Sequence, residues 1–415
     1  MAFSNNSLIK LNSATYAKLL FIIIPTLNFL SGINIDLYAP SLPAISTYFS
    51  ASPAIVKSSI SISMLGFAIG CLVFGSLFQT FSKRSIILLG LLFYTITSLA
   101  ALICQNIEQF LLIRFLQGFL VSIMSVGSRV IMLENFSGHR LKVGLLYISL
   151  AFSCGPIVAP FIGGILQYHF GWHANFWAYA IASFTAFIFF GLFINDKIIE
   201  KKIFSAKKLL SDYSFVIRNK IFLSAVFIVA CAYSEGMIFP TVGAFIVENV
   251  LGRSSIIYGN AALLISCGYF IGTFSNRFLI KGISMLQLTG IGFLLLIIAS
   301  CIQLCFALFL SLSLWTLTLP IFLIGFSLGF TNNNILVLCF ENIAYHASIV
   351  GAAFLSLQLI FAAIILFIVS HIHVEGLVNL VIIFSVLTGL QLFLYYKCFK
   401  PAILAKFDEL KDENF

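Results

Sequence analysis

The chain has 415 residues, of which 61% are hydrophobic and only 9% are charged. Because soluble domains carry about 25% charged residues, this composition excludes an ordinary soluble enzyme, a disordered chain and a disulfide-stapled secreted scaffold. The formal net charge of +9 does not indicate a nucleic-acid partner, because its meaning depends on where the basic residues stand.

Twelve apolar segments, each roughly 20 residues long, are long enough to cross a bilayer. Lipid offers no partner for exposed backbone groups, so every segment is predicted to be a helix. The predicted spans, numbered 1 to 12, are 18–40, 55–78, 86–104, 110–133, 143–167, 176–195, 221–245, 258–280, 284–306, 313–336, 347–370 and 377–399. The sequence therefore predicts an all-α membrane protein with 12 transmembrane helices.

The lysines and arginines predict the orientation of the spans. With the N-terminus inside, all but three of the 23 basic residues fall on the cytoplasmic side. The exceptions are Lys57 and Arg253 on the outer side and Arg114 within a span. Cytoplasmic segments of membrane proteins carry an excess of lysine and arginine, so we expect both termini in the cytoplasm.

One long charged segment, residues 196–220, separates six spans from six. It predicts an N-terminal six-helix bundle (1–195), a cytoplasmic linker (196–220) and a C-terminal six-helix bundle with a short cytoplasmic tail (221–415). Asp36 and Glu235 stand 199 residues apart, and Gly75 and Gly272, each expected to end its helix before a basic turn, stand 197 apart. Two nearly equal offsets predict two related halves.

Three charged residues within the spans, Asp36, Arg114 and Glu235, are the candidate proton-coupling or substrate site. A charge at the centre of a membrane helix costs about 2.5–3.5 kcal/mol on insertion scales. Asp36 and Arg114 are predicted at similar depth in the outer part of one half, where a buried carboxylate facing a guanidinium relieves much of this cost. The pair is interpreted either as a proton or cation-substrate site or as a static salt bridge. Glu235, with no basic residue in its helix, is either a second proton site or a neutral structural residue.

Two further groups of residues are weaker candidates. Polar side chains within the spans either line an aqueous cavity or bond neighbouring helices; they are Asn28, Tyr38, Gln117, Tyr233 and Asn333. Prolines, glycines and a basic pair are assigned to gating or helix packing, because they bend helices or allow close approach. These are Pro40, Gly75, Lys83, Arg84, Gly118, Gly155, Pro156, Pro160, Gly163 and Gly164.

Motifs for other chemistries do not occur in the sequence. It contains no Gly-rich nucleotide loop, serine-nucleophile motif or zinc-ligand spacing. We therefore expect a protein that is not an enzyme, with no cofactor, no metal and no ATP coupling. No obligate protein partner is inferred, and the expected partners are a small-molecule substrate, protons and the lipid bilayer.

Four stretches resemble one known family. Asp36-Leu37-Tyr38-Ala39-Pro40-Ser41-Leu42-Pro43 is similar to its helix 1 signature, and Leu112–Gly118 to its helix 4 arginine motif. Ala159–Gly164 resembles its helix 5 antiporter motif, and Gly171–Trp177 its turn into helix 6. The chain thus resembles the major facilitator superfamily, in the drug:proton antiporter branch of Bcr/CflA-type efflux transporters. It departs from the superfamily loop motif at Gln79, where an acid is expected, and at Ser82, where a glycine is expected.

The resemblance implies two pseudo-symmetric six-helix bundles that alternate access across the bacterial inner membrane. It implies proton-driven export, by antiport, of a small organic compound or drug, with Arg114 tied to proton coupling. The alternative is an importer or exporter of a siderophore-like or nutrient molecule on the same fold. The substrate cannot be named from the sequence.

Overall fold

The structure is a computed structural model that describes residues 13–194, 214, 216–343, 347–374 and 376–412. Within these ranges the regular elements are all helical, and twelve of the helices are long and apolar enough to cross a membrane. The prediction of an all-α membrane protein with 12 transmembrane helices is confirmed. Most of the predicted linker, 196–213 and 215, lies outside the described residues.

The observed spans keep the predicted numbering. Spans 1 to 6 are Thr15–Tyr48, Pro53–Thr80, Lys83–Ala101, Ile107–Asn135, Gly138–Phe170 and His173–Phe193. Spans 7 to 12 are Lys220–Val250, Ser255–Leu279, Met285–Phe309, Leu314–Glu341, Val350–His371 and Leu377–Lys406. Several run past their predicted ends, because helical hydrogen bonding continues into the polar residues that flank an apolar segment.

Polar residues fix where several spans begin. The Asn106 side chain accepts a hydrogen bond from the Gln109 N–H at 2.9 Å, and Ser82 accepts one from Ser85 at 3.1 Å. Asn219 accepts hydrogen bonds from the first two residues after Lys220, at 2.9 and 3.1 Å. Each of these caps satisfies backbone donors that have no partner within their own helix.

The chain forms two compact units, residues 1–205 and 206–415. In the first unit, span 1 packs on spans 4, 5 and 6, span 2 on span 4, and span 3 on spans 4 and 6. In the second unit the same pairs recur six spans later: span 7 packs on spans 10, 11 and 12, span 8 on span 10, and span 9 on spans 10 and 12. The internal repeat is therefore present in the packing of the helices.

A hydrogen bond between two spans is also repeated. In the first unit the Thr95 and Ser183 hydroxyls are 2.8 Å apart, joining spans 3 and 6. In the second unit the Ser300 and Thr388 hydroxyls are 3.5 Å apart, joining spans 9 and 12. Both pairs are separated by 88 residues along the chain. These two pairs align the halves, with Thr95 corresponding to Ser300 and Ser183 to Thr388.

Glycines allow close helix crossings at equivalent places. A Cβ atom on Gly66 of span 2 would lie 2.2 Å from the Phe115 carbonyl oxygen of span 4. A Cβ on Gly268 of span 8 would lie 2.4 Å from the Phe322 oxygen of span 10. Side chains at either glycine would force the helices apart, so these residue types are dictated by backbone contact.

The expected correspondence of Gly75 with Gly272 is wrong in two respects. Neither glycine ends its helix, since span 2 continues to Thr80 and span 8 to Leu279. A Cβ on Gly272 would lie 2.1 Å from the Phe326 oxygen, whereas one on Gly75 would have no neighbour within 4 Å. An isolated glycine weakens a helix only modestly, and a span within lipid cannot leave its backbone groups unpaired.

Candidate functional site

Asp36 lies at a break in span 1. The α-helix Ser13–Asp36 ends at this residue, and a short 3-10 helix with Pro40 at its second position follows. The side chain is buried, with 3% of its surface exposed. Among the described residues its carboxylate forms no ion pair and accepts no side-chain hydrogen bond. The fold therefore holds an acid with free acceptor capacity inside a membrane span.

Arg114 of span 4 is completely buried. Its Nη1 donates to Gln117 Oε1 at 2.5 Å, and its Nη2 donates to the Asn34 carbonyl at 2.8 Å. The guanidinium carbon lies 3.9 Å from the centroid of the Tyr38 ring, a cation–π contact. The charge is thus stabilised by neutral acceptors and an aromatic face.

The expected ion pair between Asp36 and Arg114 is not formed, which corrects the sequence interpretation. The helix ends at Asp36, so the Asn34 carbonyl is among the last four that have no intrahelical donor. Arg114 and the Tyr179 hydroxyl, at 2.9 Å, both donate to that carbonyl. The arginine therefore binds the negative end of the helix dipole, and the carboxylate is left without it.

Asn34, which is not among the residues predicted from the sequence, is the centre of a polar network. Its Oδ1 accepts from the Tyr94 hydroxyl at 2.8 Å, and its Nδ2 donates to Ser63 Oγ at 3.1 Å. Gln117 Nε2 extends the network to Ser98 Oγ at 3.0 Å. The available signal was an amide two residues before Asp36 in an otherwise apolar span.

An Arg114→Lys variant is expected to lower the stability of the protein by about 2–3 kcal/mol, because hydrogen bonds to buried charged groups contribute this much. Lysine lacks the planar fork that reaches Gln117 and the Asn34 carbonyl together. Thermal unfolding of the purified protein measures the effect. Arg253→Lys, at an exposed arginine, is the control. Equal melting temperatures for both variants would contradict this role of Arg114.

Glu235 is the corresponding buried acid of the second unit. It is 1% exposed, and its Oε1 accepts from the Thr388 hydroxyl of span 12 at 3.0 Å. Its Oε2 has no hydrogen-bond partner among the described residues. The helix that contains it ends at Ile238, and a π-helical segment, Phe239–Gly243, follows. As at Asp36, irregular backbone follows the acid.

The polar cavity candidates are mostly engaged in bonds between helices. Asn28 Nδ2 donates to the Ile148 carbonyl of span 5 at 2.9 Å. The Tyr38 hydroxyl lies 2.8 Å from Ser59 Oγ, and Gln117 belongs to the Asn34 network. Tyr233 and Asn333 are only partly buried. Of the two interpretations of this group, interhelical bonding fits Asn28, Tyr38 and Gln117.

Span 5 packs closely on span 1 through its small residues. A Cβ on Gly155 would lie 2.5 Å from the Gly32 carbonyl carbon, and one on Gly163 would lie 1.9 Å from the Leu37 oxygen and 3.1 Å from Pro40 Cγ. The helix is continuous from Gly138 to Phe170. The other three packing candidates of span 5 lie within this helix. Pro160 and Gly164 are buried, and Pro156 is partly buried.

The other packing candidates form contacts within the first unit. A Cβ on Gly118 would lie 1.9 Å from the Ser63 oxygen. Lys83 forms a 3.3 Å ion pair with Glu134 at the end of span 4. Arg84 donates to the Ile194 and Gly191 carbonyls at 2.7 and 2.6 Å. The basic pair thus ties together the ends of spans 3, 4 and 6, although Gln79 stands where the loop motif has an acid.

Residues 26–365 match the Major Facilitator Superfamily. A relative, an uncharacterized MFS-type transporter YdgK of Bacillus subtilis, is 27% identical over 81% of this chain and 84% of its own length. A bicyclomycin resistance protein homolog of Haemophilus influenzae is 33% identical over 41% of this chain and 43% of its own. The chloramphenicol resistance protein CraA of Acinetobacter baumannii is 28% identical over 61% and 60%.

Solved transporters share the fold. A D-xylose–proton symporter superposes with a TM-score of 0.70 over 92% of this chain and 97% of its own, at 13% identity. A bacterial homolog of the human lysosomal transporter Spinster gives 0.69 over 97% and 99%, at 16% identity. The family match, together with twelve spans in the described residues, places the chain among membrane transporters. The chain belongs to the Major Facilitator Superfamily, whose members bind small-molecule substrates in a membrane.

Proposed function

We propose that this protein exports a small organic compound across the bacterial inner membrane in exchange for protons. The observation that carries the proposal is the Asp36 carboxylate, which is buried in span 1 and unpartnered among the described residues. Intramembrane acids of transporters mark ion pathways and proton relays. The distribution of lysine and arginine supports a cytoplasmic location for both termini.

In the proposed cycle, Asp36 takes up a proton from the outer side and releases it inside. The substrate occupies the Asp36 region in the opposite direction, so proton entry drives export. Arg114 acts by fixing the end of the helix that carries Asp36, through the Asn34 carbonyl. Glu235 is a second proton site. The two six-helix bundles alternate access between the faces of the membrane.

Export is favoured over import by two of the relatives. They are named for resistance to bicyclomycin and chloramphenicol, and removing a drug from the cytoplasm confers such resistance. Both similarities cover part of the chain only. They support a drug-like organic substrate without naming it.

Everted membrane vesicles test the proposal. A respiring vesicle holds an acidic lumen, and a transported compound is expected to collapse that pH gradient when it is added outside. A panel of organic antibiotics and lipophilic compounds would be screened on these vesicles. Vesicles that lack the protein would serve as the control. A compound that enters the lumen only as protons leave identifies antiport. Movement of compound and protons in the same direction would contradict it and identify the importer alternative.

A further inference from the structure

The core of the second unit contains polar atoms that its own side chains leave unsatisfied. Glu235 Oε2 has no hydrogen-bond partner among the described residues. The Gln391 side chain is close enough to act on the same carboxylate as a weak hydrogen-bond donor, but neither its Nε2 nor its Oε1 has a partner of hydrogen-bond geometry in the described chain. Glu235 is 1% exposed, Gln391 0% and Thr388 4%. Buried polar groups are almost always bonded, so this cluster points to a ligand.

The register between the two halves shows what the second unit lacks. Thr95–Ser183 and Ser300–Thr388 are equivalent pairs. Tyr94 precedes Thr95, and its hydroxyl donates to the network in the first unit; Ala299 precedes Ser300.

The same alignment can be read in spans 6 and 12, four residues before Ser183 and Thr388. There the first unit has Tyr179, whose hydroxyl donates to Asn34, and the second has Phe384. The second unit therefore has no hydroxyl donor at either aligned position, and at one of them it also lacks a ring. Its buried acceptors, Glu235 and Gln391, are not matched by such donors, and an excess of acceptors suits a cation.

The backbone is irregular directly after Glu235. Pro240 has no N–H, so one carbonyl in the turn that contains Glu235 lacks its intrahelical donor. The chain continues as π-helix at Phe239–Gly243, and such segments are frequent at functional sites. In membrane transporters, broken helices expose carbonyls that coordinate sodium ions or protons.

We propose that Glu235, Thr388 and Gln391 form a binding site for a sodium ion in the second unit. The donors are a carboxylate, a hydroxyl and an amide oxygen, the oxygen ligands that hard cations prefer. One carboxylate balances one positive charge, which favours a monovalent ion. No group of three or more His, Cys, Asp or Glu side chains able to hold a metal occurs in the described ranges. The site adds a second cation to the proposed function, at the carboxylate assigned there to a proton.

Sodium binding is tested on the purified full-length protein, without a gradient or a transported compound. At one fixed pH, thermal unfolding is measured in NaCl, KCl and choline chloride of equal ionic strength, and binding of radioactive sodium is measured directly. A ligand that binds only the folded state raises its stability. We expect sodium to raise the melting temperature by about 2 °C or more over choline and to bind saturably. Equal melting temperatures in the three salts, with no saturable binding, would overturn the proposal.

Three variants assign the binding to this cluster. Glu235→Gln, Thr388→Val and Gln391→Leu are each expected to abolish the sodium-dependent shift. Thr289→Val removes another buried hydroxyl of the second unit, one that donates to the Met285 carbonyl of its own helix, and is expected to keep the shift. Retention of the full shift in Glu235→Gln would place the ion elsewhere and overturn the assignment. Because the assay contains no transport, a negative result leaves proton-coupled export standing, and a failure of export leaves sodium binding standing.

Discussion

An Asp36→Asn variant is expected to bind the substrate but to lose the ability to accumulate it against a concentration gradient. The amide keeps the size of the side chain but cannot carry a proton through the cycle. One pH unit is worth about 1.4 kcal/mol per proton, a tenfold accumulation for each proton exchanged. In proteoliposomes with an imposed gradient of one pH unit, wild type should concentrate the compound about tenfold for each coupled proton. The variant should only equilibrate the compound.

A matched control separates coupling from a general loss of carboxylates. Glu108→Gln removes an exposed acid in the first turn of span 4 and should leave accumulation unchanged. Facilitated equilibration by Asp36→Asn, measured without a gradient, would show that the variant is folded and inserted. Full gradient-driven accumulation by Asp36→Asn would show that coupling does not use this carboxylate.

A Gly163→Ala substitution is expected to destabilise the first unit by about 1–3 kcal/mol, the usual cost of overpacking. The added methyl would stand 1.9 Å from the Leu37 oxygen, and a backbone atom cannot rotate away as a flexible side chain can. The displaced segment includes Pro40, 3.1 Å from the same position. The turn that follows Asp36 would therefore move, and transport should fall along with stability.

Gly75→Ala is the control for this substitution. Gly75 is also a helical glycine of a membrane span, but a Cβ there would have no neighbour within 4 Å. Alanine at such a position should be neutral or stabilising by about 0.5–1 kcal/mol. Thermal unfolding in detergent and monodispersity after purification give the comparison. If Gly163→Ala and Gly75→Ala melt together, close contact between spans 1 and 5 is not required.

Helix contacts distinguish Gly75 from Gly163, although the two glycines share one assignment in the sequence. The sequence predicts a gating or packing role for both, since each is a small residue in or beside a recognisable motif. Of these two glycines, only Gly163 lies close to the backbone of another span. Residue type alone could not separate them, because the direction in which a helix face points depends on its neighbours.

The sequence alone determined the twelve spans and singled out three of the charges buried in them. A span depends only on the run of apolar residues along the chain, because lipid admits no backbone other than a helix in these segments. The cost of a buried charge likewise follows from residue type, so Asp36, Arg114 and Glu235 stood out without a structure.

The tertiary structure decided which groups those charges contact. Arg114 binds the Asn34 carbonyl and the Tyr38 ring instead of the Asp36 carboxylate, and Glu235 accepts from Thr388, 153 residues away. Partners across helices are set by the rotation and crossing of each span. Those in turn depend on glycine contacts between segments that are distant in the chain, which no local pattern of residues specifies.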